Sequence, residues 1–150
     1  MSPTKPRHGE AESRFIHVLC SFVYERDLGQ VQSGEVGLYT LRDPDTVRGA
    51  DVLFISHERL ARATPDDFLD VAPELVVEIL SPTDRRGEVE KKLREYFDIG
   101  VIVVLVVDPD KRTISVYRSL SEVWELVVGD VLKVADVLPG FSASVADLFG

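Results

Sequence analysis

Residues 73–82 of the chain read PELVVEILSP, an apolar run interrupted by a single internal carboxylate, Glu78. The β-branched residues and the proline at each end predict a short buried strand. A carboxylate buried in such a strand destabilises the fold by several kcal/mol unless an opposite charge or a metal ion compensates it. Glu78 is therefore the first candidate for a functional residue.

The segments around this strand predict one mixed α/β sheet flanked by helices. A helix is expected to follow it, with Thr83 or Asp84 as its N-cap, and to end near Asp98 before Gly100. The run 101–107 is continuously apolar, which is typical of a strand covered on both faces. The other predicted elements are strands at 36–41, 51–56, 113–117 and 123–128, with Trp124 packed on the sheet, and a short helix at 145–149.

The N-terminal region predicts a flexible tail over residues 1–8 and a single domain over residues 9–150. Apolar residues recur at helical spacing from Glu10 to about Arg26, which predicts an amphipathic helix. His8, Glu10 and Glu12 lie where this helix starts. We interpret them as solvated, and their role in a site is left open.

Composition limits the class of protein. Seventeen Lys and Arg residues against 26 Asp and Glu residues give a net charge of −9, which disfavours nucleic acid unless local basic groups or bound cations offset it. The single cysteine, Cys20, excludes an internal disulfide framework and favours a reducing cytoplasm. No apolar stretch is long enough to predict a membrane span.

Two more polar residues accompany Glu78. Asp51 is expected to open the strand at 51–56, and Lys92 lies on the helix after Glu78. Successive helical residues rotate by about 100°, so Lys92 falls beside the apolar stripe while Lys91 falls on the opposite side. Lys92 is therefore predicted to reach the sheet, and Lys91 to face water.

This set suits phosphodiester hydrolysis. Two carboxylates on neighbouring strands are hard oxygen ligands for Mg²⁺, and a nearby ammonium can orient water or offset phosphate charge. The spacing alone leaves equally open a buried ion pair for Glu78 and a turn role for Asp51.

The order of the segments resembles the Uma-type restriction endonuclease family of the PD-(D/E)XK nuclease superfamily over nearly the whole chain. Five segments carry the resemblance, namely residues 44–60, 73–85, 90–101, 107–118 and 138–149. Two positions depart from the family pattern. Ala50 stands where proline is usual, and Leu80 stands where the superfamily usually has its lysine, whereas the Uma-type pattern places that lysine on the next helix, as Lys92 is placed here.

The resemblance implies a DNA endonuclease in which Asp51 and Glu78 bind Mg²⁺, with Mn²⁺ as a possible substitute, and in which Asp51, Glu78 and Lys92 are catalytic. It also makes a homodimer plausible, because enzymes that cut both strands often use two sites. The alternative is a nuclease fold that does not cleave and acts as an interaction module, which the acidic charge favours.

Overall fold

The structure is a computed structural model that describes residues 3–150. Its helices are α1 (Pro6–Glu25), α2 (His57–Leu60), α3 (Arg86–Ile99) and α4 (Val145–Phe149). Its strands are β1 (Gly29–Leu41), β2 (Thr46–Ser56), β3 (Leu75–Ile79), β4 (Val103–Asp108), β5 (Thr113–Tyr117), β6 (Val123–Leu126), β7 (Val131–Leu132) and β8 (Ala143–Ser144).

The main sheet has six strands in the order β1-β2-β3-β4-β5-β6. All neighbouring strands are antiparallel except β3 and β4, which are parallel and are connected through α3. Parallel neighbours need such a crossover, and the central pair is buried on both faces, as its apolar sequence requires. The predicted mixed α/β architecture is confirmed. The small pair β7–β8 was not predicted, because two-residue strands have no periodicity to detect.

Two hydrophobic cores lie on opposite faces of the sheet. Phe15 and Leu19 of α1 belong to the core on one face, together with Val77 of β3. Leu93 and Tyr96 of α3 belong to the core on the other face. Alternate residues of β3 point to opposite faces, so Val77 faces α1 while Glu78 faces α3.

Helix α1 begins at Pro6 rather than at Glu10, so residues 6–8 are helical and the predicted flexible tail of residues 1–8 is wrong for them. Proline is favoured in the first turn of a helix because its missing N–H is not needed there. Residues 1 and 2 of that predicted tail lie outside the described residues. The interpretation of His8 as a solvated residue is also wrong, since it is 8% exposed.

Strand β2 begins at Thr46, so Asp51 lies in the middle of this strand and does not open it. The long β1–β2 hairpin is responsible, because β1 already begins at Gly29 and pairs with β2 along its length, with a register shift between Ser33 and Val36. Pairing across a hairpin extended both strands beyond the ends that their apolar patterns predicted.

The ends of α3 differ in how well they were predicted. Gly100 has the left-handed conformation, with φ of 108°, and closes the helix as expected. The N-cap is Arg85 and makes no side-chain cap, whereas Asp84 accepts a hydrogen bond from Ser81 N–H at 2.7 Å and so closes the preceding turn.

At the sheet edge, Trp124 is 72% exposed, which contradicts the prediction that it packs on the sheet. Among the described residues, no helix has the length and hydropathy needed to cross a membrane.

Candidate active site

The candidate site lies where β2 and β3 separate. The last residue pair of their ladder is Val52 with Val77, so Asp51 and Glu78 stand opposite each other one position further on. Asp51 Oδ2 accepts a hydrogen bond from Ile79 N–H at 2.8 Å. This hydrogen bond to a side chain replaces the next backbone hydrogen bond between β2 and β3. It holds the Asp51 carboxylate at the end of β3.

Both carboxylates are buried, Asp51 at 9% and Glu78 at 8% exposure. The side chains of α3 compensate Glu78. Tyr96 O–H donates a hydrogen bond to Glu78 Oε1, and Lys92 Nζ lies 3.6 Å from the same oxygen. The fold thus places Asp51, Glu78 and Lys92 side by side.

Lys92 and Tyr96 offset only part of the cost of burying a charged Glu78. The pKa of Glu78 is raised from 4.5 to about 7, chiefly by burial, which outweighs the lowering by Lys92 and by the Tyr96 hydrogen bond. The neighbouring Asp51 contributes to this rise through its charge and because protonated Glu78 can donate a hydrogen bond to it. Two carboxylates this close favour a shared cation, either a proton or a metal ion.

Tyr96 is the residue of this site that the sequence analysis did not assign. It lies on the apolar face of α3 with Leu93, and its side chain is fully buried. Burial, followed by the charge of Glu78, raises the pKa of its hydroxyl, so it remains a hydrogen-bond donor. Its position one helical turn after Lys92 was the available signal, because residues four apart share a helix face.

Lysines 91 and 92 differ as the helical geometry predicted. Lys92 is 35% exposed along its side chain and points to Glu78, whereas Lys91 is exposed. The stem of Lys92 lies along the helix flank and delivers its ammonium group to the carboxylate.

Helix α1 adds groups from the other face of the sheet. His8 Nε2 lies 3.9 Å from Asp51 Oδ2, and the buried His8 Nδ1 has no hydrogen-bond partner among the described residues. Glu12 is half-buried one turn later, and burial, followed by the charge of Asp51, raises its pKa. Glu10 instead faces solvent and pairs with Arg14 at 3.0 Å. Of the three residues at the helix start, His8 and Glu12 therefore adjoin the site.

The donor set fits a hard divalent cation. Ile79 N–H and Tyr96 O–H donate to Asp51 Oδ2 and Glu78 Oε1, so when Glu78 is charged each carboxylate keeps its other oxygen for a further ligand. Among residues 3–150, no group of three or more His, Cys, Asp and Glu side chains is arranged to hold a metal ion. A pair of carboxylates suits Mg²⁺, which usually retains several waters as ligands.

Comparisons with known proteins identify the family of the chain and a structure with the same fold. The Uma2 family model, described as "Putative restriction endonuclease", matches residues 1–146. A crystal structure from Anabaena variabilis, titled "putative nuclease belonging to DUF820", superposes with a TM-score of 0.82 at 21% sequence identity. The match covers 99% of this chain and 83% of that one, and it confirms the predicted fold. No curated protein matches.

Proposed function

The chain belongs to the Uma2 family of restriction endonuclease-like proteins, and from this premise we propose that it is a divalent-metal-dependent endonuclease that hydrolyses phosphodiester bonds of DNA in the cytoplasm. The observation that carries the proposal is the placement of Lys92 Nζ and Tyr96 O–H on Glu78 Oε1, opposite Asp51. An ion pair that served only stability would not need a second buried carboxylate beside it.

Asp51 and Glu78 would hold Mg²⁺, or Mn²⁺ in its place, together with water and the main-chain carbonyl near Ile79. When bound, such an ion polarises a phosphate oxygen and makes a bound water more acidic. Tyr96 fixes the orientation of Glu78, and the Ile79 amide fixes that of Asp51. Both carboxylates are thus oriented before substrate arrives.

In the proposed reaction, a water oxygen attacks the phosphorus of the scissile bond. The bond from phosphorus to the leaving sugar oxygen breaks, and a proton lost by the water is balanced by protonation of that oxygen. Lys92 offsets the negative charge that gathers on the phosphate. Because it already contacts Glu78, its ammonium group is placed at the edge of the carboxylate pair.

Plasmid cleavage with Mg²⁺ or Mn²⁺ tests this proposal. We expect Lys92→Ala to lower the cleavage rate by about a hundredfold or more, the usual effect of removing a catalytic group. Lys91→Ala is the matched control, because the neighbouring lysine is exposed on the same helix and should leave the rate unchanged.

Glu78→Gln keeps the volume of the side chain but removes a metal-binding oxygen, and it should abolish cleavage. Equal cleavage by Glu78→Gln and the wild type, or wild-type protein that never cuts under either metal, would refute the proposal. Circular dichroism of each variant confirms that loss of cleavage is not loss of folding.

A second candidate function is a nuclease fold that binds a partner without cleaving. The net charge of −9 favours it, because an acidic surface repels DNA. Absence of cleavage together with unchanged metal binding in an Asp51→Asn variant would support this candidate.

If the nuclease is a homodimer with two sites, it should produce linear plasmid in preference to nicked circles. Sedimentation with and without DNA measures the oligomeric state.

A further inference from the structure

Strand β6 is an open edge of the six-stranded sheet. Among residues 3–150 it has β5 as its neighbour on one side and no strand on the other. The opposite edge, β1, is covered, because Tyr39 N–H donates to Leu69 C=O and Leu69 N–H donates to Gly37 C=O, both at 2.9 Å. An open edge can pair with another chain, and natural proteins commonly protect it with lysine or proline. The sequence of β6, Val123–Leu126, contains neither.

The pairing with β5 shows which backbone groups of β6 face the open side. Arg118 N–H donates to Glu122 C=O at 2.9 Å, so the backbone of Glu122 points toward β5. The direction alternates from residue to residue along an antiparallel strand. Trp124 therefore bonds toward β5, whereas the N–H and C=O groups of Val123 and Glu125 point away from the sheet.

The open stretch ends at Val127. Its N–H donates to Asp130 Oδ2 at 2.8 Å, and its C=O accepts from Asp130 N–H at 2.9 Å. The outward groups of Val127 are thus already paired within the chain. The groups that remain for a partner strand are those of Val123 and Glu125.

These groups are self-complementary in one register. Two copies of β6 that run antiparallel are related by a two-fold axis. With the axis at Trp124, Val123 of one copy lies opposite Glu125 of the other, and every outward N–H and C=O group of the two residues is paired. An axis at Glu125 would instead place Val123 opposite Val127, whose groups are occupied.

The side chains around this edge are unusually apolar for an exposed surface. Six of the eleven large hydrophobic side chains that are exposed among the described residues lie within residues 120–131, namely Leu120, Val123, Trp124, Val127, Val128 and Val131. Their exposed parts amount to roughly 500 Å² of apolar surface. A homodimer interface of standard size removes about 800 Å² from each copy, about two thirds of it apolar. The region therefore exposes about as much apolar surface as such a dimer buries.

We propose that the protein forms a homodimer in which two β6 strands pair antiparallel about a two-fold axis at Trp124, so that one sheet extends through both copies. The two Trp124 residues form a non-hydrogen-bonded pair with Cα atoms about 4.5 Å apart, which brings their side chains into aromatic contact. Glu125 lies opposite Val123 of the other copy, so the two Glu125 carboxylates do not face each other directly. Assembly stops at the dimer because the β1 edge is covered.

Trp124 is the single tryptophan of the chain, so the fluorescence of the protein reports on the proposed contact directly. The full chain, without metal or DNA, is followed by sedimentation velocity and by emission over a dilution series. We expect a dimer at high concentration. Its emission should move to longer wavelength as dilution releases monomers, with the same midpoint in both measurements.

Two substitutions should weaken the dimer in different ways. Trp124→Glu places like charges at the two-fold axis and should raise the dissociation constant by about a hundredfold or more, as for a central interface residue. Val123→Pro removes an outward N–H at the first residue of β6, where proline leaves the pairing with β5 intact, and should raise it by about tenfold. Leu41→Glu is the matched control, because Leu41 is 55% exposed at the end of β1 on the covered edge and should not affect the dimer.

Hydrogen exchange of the backbone amides tests the register without any substitution. The Val123 and Glu125 amides should exchange more slowly in the dimer than in the monomer, whereas the Trp124 amide, which bonds to β5, should change least. Circular dichroism of each variant separates loss of the dimer from loss of folding.

Three results would overturn the inference. The wild type could sediment as a monomer at every concentration, which would leave β6 for a different partner. Species larger than a dimer could form, which a closed two-fold pair excludes. Trp124→Glu and Val123→Pro could both dimerise like the wild type, which would place the interface elsewhere.

The inference goes beyond the proposed function and does not depend on it, since no measurement in this test involves DNA or metal. A monomer that cuts DNA refutes the dimer alone. A dimer that never cuts refutes the nuclease alone.

Discussion

At the level of single residues, Glu78 has two states that are balanced near neutral pH. Burial and Asp51 favour its protonated form, whereas Lys92 and Tyr96 favour its charged form. Because the pKa of Glu78 is about 7, a cation that binds near neutral pH displaces the proton at little cost in free energy. A glutamate with an ordinary pKa would be charged at neutral pH without any metal ion, whereas a glutamate in a fully apolar site would stay protonated.

The stability of the metal-free protein should therefore depend on pH through Glu78. Below pH 4.5 Glu78 is protonated in both the folded and the unfolded chain, and between pH 4.5 and about 7 only the unfolded chain loses the proton. Stability should fall as pH rises through this window, by about 3 kcal/mol at most, and then level off. Urea unfolding from pH 4.5 to 8 measures this change.

Glu78→Gln removes the titrating group, so this variant should lose the fall in stability and gain on the wild type above pH 7. Glu10→Gln, which removes an exposed carboxylate, should follow the wild type. Parallel curves for the wild type and Glu78→Gln would contradict the raised pKa.

At the level of elements, α3 determines whether the site forms, because it carries both groups that contact Glu78. Its C-terminus depends on Gly100, whose φ of 108° is unfavourable for residues with a side chain. An added Cβ would meet only Ala72 Cβ, at 3.8 Å, so the strain would come from the backbone and not from crowding.

Two glycine substitutions in this region should have opposite effects. Gly100→Ala should destabilise the protein by about 1 kcal/mol, since alanine disfavours the left-handed conformation. Gly87→Ala lies within α3 with nothing near its added Cβ, and it should stabilise by about 0.5 kcal/mol or more. Urea midpoints of both variants measure the difference, and a loss of stability in Gly87→Ala would contradict its open, helical position.

The predicted helix α3 shows what a sequence pattern conveys and what it omits. The rotation of 100° per residue separated Lys92 from Lys91, and glycine marked the end of the helix correctly. The start of the helix was predicted too early, because Asp84, a residue type that often caps helices, accepts a hydrogen bond from Ser81 N–H instead. The same local hydrogen bond can close a turn or cap a helix, and the residue type does not distinguish them.

At the level of the whole molecule, a divalent cation held by Asp51 and Glu78 would link β2 to β3 and offset part of the charge of −9. Because the metal requires charged Glu78, binding should strengthen as pH passes through about 7. We expect Mn²⁺ to raise the melting temperature more at pH 8 than at pH 6, since a ligand that binds the folded state stabilises it.

Thermal shift in Mn²⁺ and Mg²⁺ measures this effect. Lys91→Ala should respond like the wild type, and Glu78→Gln should lose most of the response at both pH values. An equal response from Glu78→Gln would mean that the cation binds elsewhere on the acidic surface.

The sequence by itself determined the mixed α/β sheet, the buried strand of Glu78 and the helix face of Lys92, because apolar periodicity and helical rotation are local properties of the chain. It did not determine that Asp51 lies opposite Glu78, which follows from strand pairing, or that Tyr96 holds Glu78. It also misplaced His8, which is buried because α1 starts early and packs across the sheet from α3. Only the tertiary structure brings these distant residues together, since contacts between elements depend on register and packing that no local pattern encodes.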